Sequence, residues 1–328
     1  MIVVTGGAGF IGSNILAGLE AAGYKELVVI DWLGHDEKWN NIAKRSLFDI
    51  VSPKRMWKFL NYYKDSVSTV IHMGAISSTT ERDVDQIVES NIHLTWNLWK
   101  YCCNYHKRFI FASSAATYGG GEYGFLDRDD TDYLNALRPL NPYGWSKVFI
   151  DRKIASQKAV SAPTPPQYVG LKFFNVYGPN EYHKGDQKSV IAHIYPDIAR
   201  GEAVCLFKSY NSHYPDGGQE RDFVWVGDIV DVILFFLRAP AISGLFNVGS
   251  GRARTFYDLA KASQKAAGQE VNVRYIEMPE SLRPQYQYHT CADLTKLRAV
   301  GYSAEMTSLE EGVRKYVQEF LSQDDIYR

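Results

Sequence analysis

Short apolar runs alternate with amphipathic stretches through the first half of the chain. The runs are rich in β-branched and aromatic residues and lack polar alternation, which is typical of parallel strands buried on both faces. Between them, apolar residues such as Val88, Ile92 and Leu98 recur at approximately helical spacing. The pattern predicts strands at 2–5, 27–30, 67–71, 108–111 and 168–173, and helices at 11–22, 84–104 and 143–159. This alternation favours an α/β fold with a doubly wound parallel sheet.

The second half of the chain has a less regular pattern of apolar and polar residues. Residues 155–167, rich in Pro, Ser and Ala, and residues 209–220, rich in polar residues, Gly and Tyr, predict surface connections. Beyond them, the sequence predicts strands at 222–226 and 245–248 and a helix at 255–268. Shorter mixed elements follow, which favours a smaller second lobe built partly from these later segments.

Composition and charge narrow the class of protein. The 328 residues include 36 Lys and Arg against 37 Asp and Glu, which excludes a broadly basic nucleic-acid surface. With 45% hydrophobic and 22% charged residues, the chain has a globular composition. Its 4 cysteines show neither a disulfide framework nor metal-ligand spacing, so no metal site is expected. There is also no membrane-length apolar run or signal-type leader, and we expect a soluble, cytoplasmic protein with reduced thiols.

The stretch TGGAGFIG directly follows the first predicted strand and opens the first predicted helix. Gly6, Gly9 and Gly12 allow a tight turn, close approach of the backbone to a pyrophosphate, and tight packing of helix on strand. The helix that begins near Phe10 then directs its free amides at the phosphates. The stretch therefore predicts a dinucleotide site, with a purely structural glycine turn as the alternative.

Asp31 ends the second predicted strand, where a carboxylate can accept a hydrogen bond from an adenosine ribose hydroxyl. By itself it favours NAD, because a carboxylate repels the 2′-phosphate of NADP. Lys38, in the following loop, either supplies the opposing charge for NADP or is a solvated surface lysine. The residues alone leave this choice open.

Tyr143 and Lys147 lie four positions apart near a predicted helix start, so that both side chains face the same side. The ordinary tyrosine pKa of about 10 is too high for a general base at neutral pH. A nearby lysine ammonium and an oxidised nicotinamide would favour the phenolate and lower the Tyr143 pKa. Ser113 and Ser114 follow a predicted strand whose carboxyl end opens into the ligand crevice of such a sheet. A serine hydroxyl there can hydrogen-bond a substrate carbonyl as it forms, so Ser, Tyr and Lys together after the glycine turn predict a catalytic site.

Several motifs together resemble the extended short-chain dehydrogenase/reductase family, the group of nucleotide-sugar epimerases and dehydratases, over nearly the whole chain. They are TGGAGFIG, SSAATYG, YGWSK, FFNVYGP and RDFVWVGD. The stretches HMGAISSTTE, NVYGPNEYHKG and RPQYQYHTCADL are most similar to the branch of epimerases that act on ADP-heptose. A function in supplying the heptose of the lipopolysaccharide inner core is implied by this resemblance.

The resemblance implies a Rossmann-type doubly wound parallel sheet with a smaller α/β substrate-binding lobe. It assigns residues 1–174 and 222–250 to dinucleotide binding, and residues 175–221 and 251–328 to the nucleotide sugar. It also implies NADP as the cofactor, with NAD as the alternative, and a homo-oligomer that is a pentamer in related epimerases. The partners expected are a nucleotide sugar and further copies of the chain, and neither a nucleic acid nor a membrane.

The resemblance further implies that carbon six of the heptose is oxidised to a ketone and reduced again on its opposite face. Tyr143 and Lys184 would be the two acid/base groups, Lys147 would hold the nicotinamide ribose and lower the Tyr143 pKa, and Ser114 would anchor the sugar oxygen. Besides Lys147, the implied cofactor contacts are Gly6, Gly9, Phe10, Ile11, Gly12, Asp31, Trp32, Lys38, Met73, Gly74, Ala75, Ser77, Asn91 and Val176. Besides Ser114, the implied substrate contacts are Asn175, Asp186, His193, Phe207, Lys208, Ser209, Tyr210, Arg221 and Tyr286.

Three other functions are compatible with parts of the sequence. A dehydratase of the family carries an Asp-Glu pair where this chain has Ala115 and Ala116, so dehydration is disfavoured. A UDP-sugar 4-epimerase shares the Ser, Tyr and Lys, and differs in the shape of its sugar pocket. A non-catalytic dinucleotide-sensing module would not require Ser114, Tyr143 and Lys147 together.

Overall fold

Most of the predicted strands form one seven-stranded, entirely parallel sheet. The computed structural model describes residues 1–35, 37–280, 282–283 and 286–328. The sheet has the strand order β3-β2-β1-β4-β5-β6-β10. The strands of the described residues are β1 Ile2–Thr5, β2 Leu27–Ile30, β3 Asp49–Val51, β4 Thr69–His72, β5 Arg108–Ser114, β6 Tyr168–Phe173, β7 Asn175–Tyr177, β8 Val204–Phe207, β9 Glu220–Trp225, β10 Gly244–Val248, β11 Ala253–Thr255 and β12 Val273–Ile276.

The predicted helices cover the sheet. The α-helices of the described residues are α1 Phe10–Ala21, α2 Met56–Tyr62, α3 Val84–Ile87, α4 Leu94–Asn104, α5 Thr131–Ala136, α6 Pro142–Ala159, α7 Val190–Ala199, α8 Val226–Arg238, α9 Phe256–Ala266, α10 Thr295–Ala299 and α11 Leu309–Tyr316. A π-helical segment, Val88–His93, joins α3 to α4, so the helix predicted at 84–104 forms with one irregular stretch. None of the helices in the described part of the chain has the length and hydropathy that a membrane crossing needs.

The two faces of the sheet bury separate apolar clusters. Because successive strand residues point to opposite faces, Val3 packs with Val28 and Phe109 on one side, and Val4 packs with Val29 on the other. The second cluster includes the apolar sides of α1 and α8. These helices cross closely at Gly18, where an added Cβ would collide with Val230. The α/β, doubly wound fold predicted from the sequence is confirmed.

The strand order reverses at β1, and this fixes where a ligand can bind. The last residue of β1, Thr5, pairs in register with Ile30 of β2 on one side and with His72 of β4 on the other. The chain therefore leaves all three strands at the same edge of the sheet. In doubly wound sheets, the crevice at such a reversal, outside the carboxyl ends of the strands, is where ligands bind.

The later segments build two small sheets, β11-β9-β7 and β12-β8. The expected domain border at residue 222 falls inside β9, which pairs with β7 and β11. Leu297 and Tyr302, within the segment 251–328, belong to the same apolar cluster as Phe246 of β10. The division into two domains remains a prediction, and these contacts show that the later segments return to the central sheet.

The surface connection predicted at 155–167 is shorter than expected, whereas the helix predicted at 143–159 is confirmed. Helix α6 continues to Ala159, and Gln167 is fully buried. The Gln167 amide donates to the carbonyl oxygens of Phe236, Ala239 and Ile242, at 3.0, 2.9 and 3.0 Å. The amide thus joins the chain just before β6 to carbonyl groups at and beyond the end of α8, which accounts for a buried polar residue at this position.

Candidate active site

A cavity of about 670 Å³ opens at the edge of the sheet where the strand order reverses. The turns after β1, β2 and β4, the end of β5, the first turns of α1 and α6, and the segment after β7 contribute to its wall. Of the residues predicted to bind or react, the cavity brings together Gly6, Gly9, Phe10, Ile11, Gly12, Asp31, Lys38, Met73, Gly74, Ala75, Ser77, Ser114, Tyr143, Lys147, Asn175, Val176 and Lys184.

The glycine turn packs against the turn after β4 with no room for side chains. Gly6 has a φ of +65°, and a Cβ there would lie 2.5 Å from the backbone nitrogen of Gly74. A Cβ at Gly12 would collide with the Gly6 carbonyl oxygen. Gly9, the N-cap of α1, makes no side-chain cap, so the first amides of the helix are left for another acceptor at the cavity wall.

Asp31 links the glycine turn to the cation predicted to lie near it. Its carboxylate accepts hydrogen bonds from the backbone nitrogen atoms of Ala8 and Trp32, at 3.0 and 2.8 Å. Lys38 Nζ lies 2.8 Å from Asp31 Oδ1, in a partly exposed ion pair. The charge of the carboxylate is therefore balanced at the cavity wall.

Trp32, which was predicted to contact the cofactor, does not line the cavity and is 54% exposed. Lys54 Nζ lies 5.7 Å from the centre of its ring. Sequence analysis missed Lys54 because the short strand β3, which delivers it to this edge, carries two exposed residues and gives no buried apolar run. Lys54 is therefore an exposed cation beside Trp32, the residue that follows Asp31.

Asn91 lies behind the cavity wall. Its amide accepts from the backbone nitrogen of Ile76 at 2.8 Å and donates to the Ile76 carbonyl oxygen at 2.9 Å. It also donates to Ser146 Oγ at 3.0 Å, which ties the turn after β4 to helix α6. Asn91 thus fixes the backbone that carries Gly74 and Ser77.

Tyr143, Lys147 and Ser114 meet at the base of the cavity. Asn141 caps α6 by accepting from the Gly144 backbone nitrogen, so the helix begins at Pro142 and places both Tyr143 and Lys147 toward β5. Lys147 Nζ donates to the Ala112 carbonyl oxygen at 2.9 Å and lies 5.9 Å from the centre of the Tyr143 ring. Burial lowers the Lys147 pKa to about 8, and the charge of Asp151 opposes that change.

The expected lowering of the Tyr143 pKa does not appear in the chain by itself, where this pKa is raised. Burial raises the Tyr143 pKa, and a hydrogen bond with Ser114 only partly opposes the rise. The reason is geometric, because the Lys147 ammonium is directed at a backbone carbonyl rather than at the phenol oxygen. A phenolate at this position therefore requires a further positive charge in the cavity.

Lys184 lines the same cavity as Tyr143, from the segment Tyr182–Gln187. Its Nζ lies 5.6 Å from the centre of the Phe10 ring. Burial lowers the Lys184 pKa, and the charge of Glu181 opposes that change. The Glu181 carboxylate is itself anchored, since it accepts from Ser189 Oγ at 2.6 Å and from Tyr316 Oη at 2.9 Å.

His183 and Gln187, which lie near Lys184 in the sequence, also line the cavity and were missed by sequence analysis. Burial and the charges of Lys38 and Lys184 lower the His183 pKa to about 4, so this imidazole is neutral at pH 7. Ser77 Oγ donates to Gln187 Oε1 at 3.4 Å, across the cavity from the turn after β4. Their adjacency to Lys184 in the sequence was the available signal.

The remaining predicted substrate residues lie outside the cavity wall. Asp186 is exposed, and its carbonyl oxygen lies 3.2 Å from Nε2 of the helix residue His193. The loop after β8 holds Tyr210 under the Arg283 guanidinium, 3.8 Å from the ring centre. The others of this outer group are Phe207, Lys208, Ser209, Arg221 and Tyr286. Of the stretch 283–294, Pro284 and Gln285 lie outside the described residues.

Arg221 is the most buried member of this outer group, with 9% of its surface exposed. Its guanidinium lies between the rings of Tyr286 and Phe256, 5.2 and 5.6 Å from their centres, and Phe256 lines the cavity. It makes no ion pair with any carboxylate among the described residues, and burial lowers its pKa. A buried, unpaired guanidinium beside a cavity suits an anionic ligand.

The sequence profile of the NAD-dependent epimerase/dehydratase family matches residues 2–249. The chain belongs to this family. Its ADP-L-glycero-D-manno-heptose-6-epimerase relative from Fusobacterium nucleatum is 45% identical, with all of both chains covered. The relative of the same name from Brachyspira hyodysenteriae is 38% identical over 97% of each chain. The family resemblance predicted from the motifs is confirmed.

Solved structures of the family have the same architecture. The Helicobacter pylori ADP-L-glycero-D-manno-heptose-6-epimerase has a TM-score of 0.78 at 25% identity, covering 98% of this chain and 96% of that chain. The UDP-N-acetylglucosamine 4-epimerase of Methanobrevibacter ruminantium, solved with UDP-N-acetylmuramic acid, has a TM-score of 0.80 at 26% identity, covering 98% of each chain. The Thermus thermophilus UDP-glucose 4-epimerase, solved with NAD, has a TM-score of 0.75 at 27% identity, covering 98% of this chain and 99% of that chain.

The cofactor of this family is a nicotinamide dinucleotide, and the cavity fits one. The glycine turn leaves backbone amides uncovered at the start of α1, as a pyrophosphate requires. Asp31 stands at the end of β2, where a ribose hydroxyl can donate to it. Tyr143 and Lys147 stand further along the same cavity, beside Ser114.

We expect Gly6→Ala to abolish dinucleotide binding. The new methyl group would force the glycine turn away from Gly74, and the positive φ adds a strain of about 1–2 kcal/mol. The dinucleotide that copurifies with the protein, measured by absorbance after denaturation, should fall at least tenfold. Gly23→Ala is the matched control, because Gly23 also has a positive φ, of +89°, but lies in open space. Equal loss of dinucleotide from both variants would contradict this account.

Proposed function

We propose that the protein is an ADP-L-glycero-D-manno-heptose 6-epimerase that inverts carbon six of the sugar and uses NADP. The observation that carries the proposal is that Tyr143 and Lys184, from separate elements of the fold, face one cavity together with Ser114 and Lys147. The full-length identity of 45% to a relative of that name supports the choice of substrate. Supply of heptose for the lipopolysaccharide inner core is the cellular role that follows from this activity.

An epimerase of this kind needs an acid/base group on each side of the reacting carbon. In our proposal, one of Tyr143 and Lys184 removes the hydroxyl proton as the ketone forms, and the other returns a proton when the sugar is reduced on its opposite face. The lowered Lys184 pKa supports this role, because an amine that loses its proton more readily is a better base near neutral pH. When bound, the nicotinamide supplies reversible uptake of a hydride from the sugar carbon.

Ser114 and Lys147 orient the reacting groups in this proposal. The Ser114 hydroxyl hydrogen-bonds Tyr143, and it also stands where it can donate to the sugar oxygen as a carbonyl forms. The buried Lys147 ammonium, with a pKa of about 8, is predominantly charged at neutral pH. It holds the nicotinamide ribose, and its charge adds to that of the oxidised nicotinamide in favouring the Tyr143 phenolate.

The choice of NADP rests on the cations at the ribose end of the cavity. Lys38 already balances the Asp31 carboxylate, which removes the simplest reason to exclude a 2′-phosphate. Lys54, beside Trp32, is a second cation within this region. The glycine turn, the turn from Met73 to Ser77, and Val176 hold the remaining parts of the dinucleotide in the proposal.

The outer group is the proposed site for the nucleotide part of the substrate. Arg221 would bind the diphosphate, because its buried guanidinium has no carboxylate partner among the described residues. Tyr286, His193, Asp186 and the stretch from Phe207 to Tyr210 would surround the nucleotide, and Asn175 the sugar. We also propose that the chain has the predicted two domains, that it is cytoplasmic, and that it assembles as a homo-oligomer of five copies.

A UDP-sugar 4-epimerase is the second candidate, since two such enzymes are close structural neighbours. Sequence identity to them is 26% and 27%, against 45% to the ADP-heptose enzyme of Fusobacterium nucleatum. A dehydratase is disfavoured because Ala115 and Ala116 stand after Ser114 and cannot donate a proton to a leaving hydroxyl.

We expect the purified enzyme to epimerise ADP-D-glycero-D-manno-heptose and to leave UDP-galactose unchanged. The buried Arg221 fits either diphosphate, so the distinction arises from the sugar and base pockets. Separate incubations followed by NMR of the sugar protons measure both reactions. Turnover of UDP-galactose alone would overturn the proposed substrate.

Tyr143→Phe and Lys184→Met should each lower kcat about 10²–10⁴-fold, the range for loss of a general acid or base. Each variant should retain its bound dinucleotide, because neither substitution removes a group that the glycine turn provides. Lys188→Met is the matched control, since it removes another lysine from the wall of the same cavity. Normal turnover by both Tyr143→Phe and Lys184→Met would exclude the two-base scheme.

We expect NADP to be the dinucleotide that copurifies with the protein, as its mass will show. Lys38→Met should weaken NADP binding about tenfold, because it removes one charge-assisted contact to the 2′-phosphate. NAD binding, measured by calorimetry on the same variant, is the internal control and should change far less. Copurified NAD, or equal losses for the two dinucleotides, would contradict the NADP assignment.

A further inference from the structure

A fully buried ion pair lies directly behind the cavity and has no part in the chemistry proposed above. Asp151 of α6 and Lys172 of β6 have no exposed side-chain surface, and Lys172 Nζ lies 2.7 Å from Asp151 Oδ2. Replacing a buried ion pair by apolar residues often costs nothing, so stability alone is a weak reason for one. Its contacts point to another role.

The pair reaches the Ser114 turn by two hydrogen-bond routes. Ser113 Oγ donates to Asp151 Oδ2 at 2.8 Å. On the other route, Lys172 Nζ donates to Thr117 Oγ1 at 2.8 Å, and Thr117 Oγ1 donates to the Ser114 carbonyl oxygen at 2.7 Å. The backbone on both sides of Ser114 is therefore held by the two charges.

Asp151 also acts on Lys147, one helical turn before it on the same side of α6. Burial works against the charge of Lys147, and Asp151 is the group that opposes this effect. Asp151 Oδ1 is buried and has no hydrogen-bond partner among the described residues, so part of its charge is not taken up by hydrogen bonds.

The other titratable groups around Lys147 do not replace this carboxylate. His72, from β4, has a pKa lowered to about 3 by burial and by Lys147, and is neutral at pH 7. Tyr143, on α6, is a neutral phenol until it reacts, because burial raises its pKa. Lys172, from β6, is the ion-pair partner of Asp151 and brings no negative charge toward Lys147.

We infer that Asp151, held in place by Lys172, is a positioning residue of the active site: it keeps the buried Lys147 ammonium charged and orders the turn of Ser114. The inference rests on the proposed roles of Lys147 and Ser114. The Asp151–Lys172 pair brings a negative charge behind the cavity without placing a carboxylate in the cavity, where it would meet the phosphates and the sugar.

The test uses Asp151→Asn and the double variant Asp151→Asn/Lys172→Met. The single variant leaves Lys172 buried and uncompensated and is expected to lose stability, whereas the double variant removes both charges and keeps the protein folded. The Lys147 side chain is titrated directly by carbon-13 NMR of protein labelled at lysine Cε, its signal assigned by its absence from Lys147→Met. This measurement does not depend on catalysis.

In Asp151→Asn we expect Lys147 to lose its proton about one pH unit lower than in the wild type, because the opposite charge of Asp151 is gone while the Lys172 cation stays. In the double variant the shift should have the same direction and be smaller, because the Lys172 charge is removed as well. The alkaline limb of the kcat profile should move by the same amount, giving up to about tenfold lower kcat above that pH. Asp151→Glu should restore the wild-type titration. Asp228→Asn is the control, since it alters a buried carboxylate that binds Thr307, and should leave Lys147 unchanged.

Wild-type titration of Lys147 in the double variant would overturn the inference and leave the pair a structural contact. If the wild-type protein epimerises no sugar, the proposed function fails, but the NMR titration still decides whether Asp151 sets the charge of Lys147. The two failures are therefore distinguishable.

Discussion

The close backbone contact between the glycine turn and the turn after β4 is the constraint on which the site depends. Gly6 and Gly74 lie so near each other that a Cβ at Gly6 would collide with the Gly74 backbone. The contact exists because β1 pairs in parallel with β4 on one side and with β2 on the other, so that all three turns leave the sheet at one edge. From that edge follow the uncovered start of α1, the position of Asp31 and the entrance to the cavity.

Charge burial distinguishes the two ends of the cavity. Near the glycine turn, Lys38 and Asp31 form a partly exposed pair, where solvent screens the interaction between the two charges. At the end that holds Tyr143, Lys147 is buried and Lys184 is half-buried, and desolvation lowers the pKa of both. A lysine whose pKa is lowered can take up and release a proton near neutral pH. An exposed lysine stays protonated there, because its pKa is much higher.

The sequence predicted those features whose physical cause is local. The apolar runs of β1, β2 and β6 were placed correctly because a strand buried on both faces needs continuous apolar residues. The spacing of the motifs and the ends of these strands also predicted that Gly6, Asp31 and Tyr143 lie in one cavity wall. The exposed strand β3 gave no such run, and Lys54 was missed with it.

Properties set by distant partners could not be predicted in this way. Gln167 looked like a residue of a polar connection because the carbonyl groups that it satisfies come from residues more than 65 positions later. The Tyr143 pKa was expected to fall because the neighbouring lysine was visible in the sequence, whereas its burial and the direction of the Lys147 ammonium were not. The places of Phe207 and Arg221 in the outer group were also not predictable locally, since the strands that carry them pair with the later strands β12 and β11.

The segment that carries Lys184 shows how distant partners can fix a reactive group. On one side, Asn14 of α1 donates to the Pro179 carbonyl oxygen at 2.9 Å, and Asn180 donates to Ser13 Oγ at 3.0 Å. On the other side, Glu181 is bound by Tyr316 of α11. Since α1 also begins at the glycine turn, one rigid helix sets the distance from the dinucleotide-binding backbone to the Lys184 segment. The separation of the two proposed bases is therefore determined by packing that exists before any sugar binds.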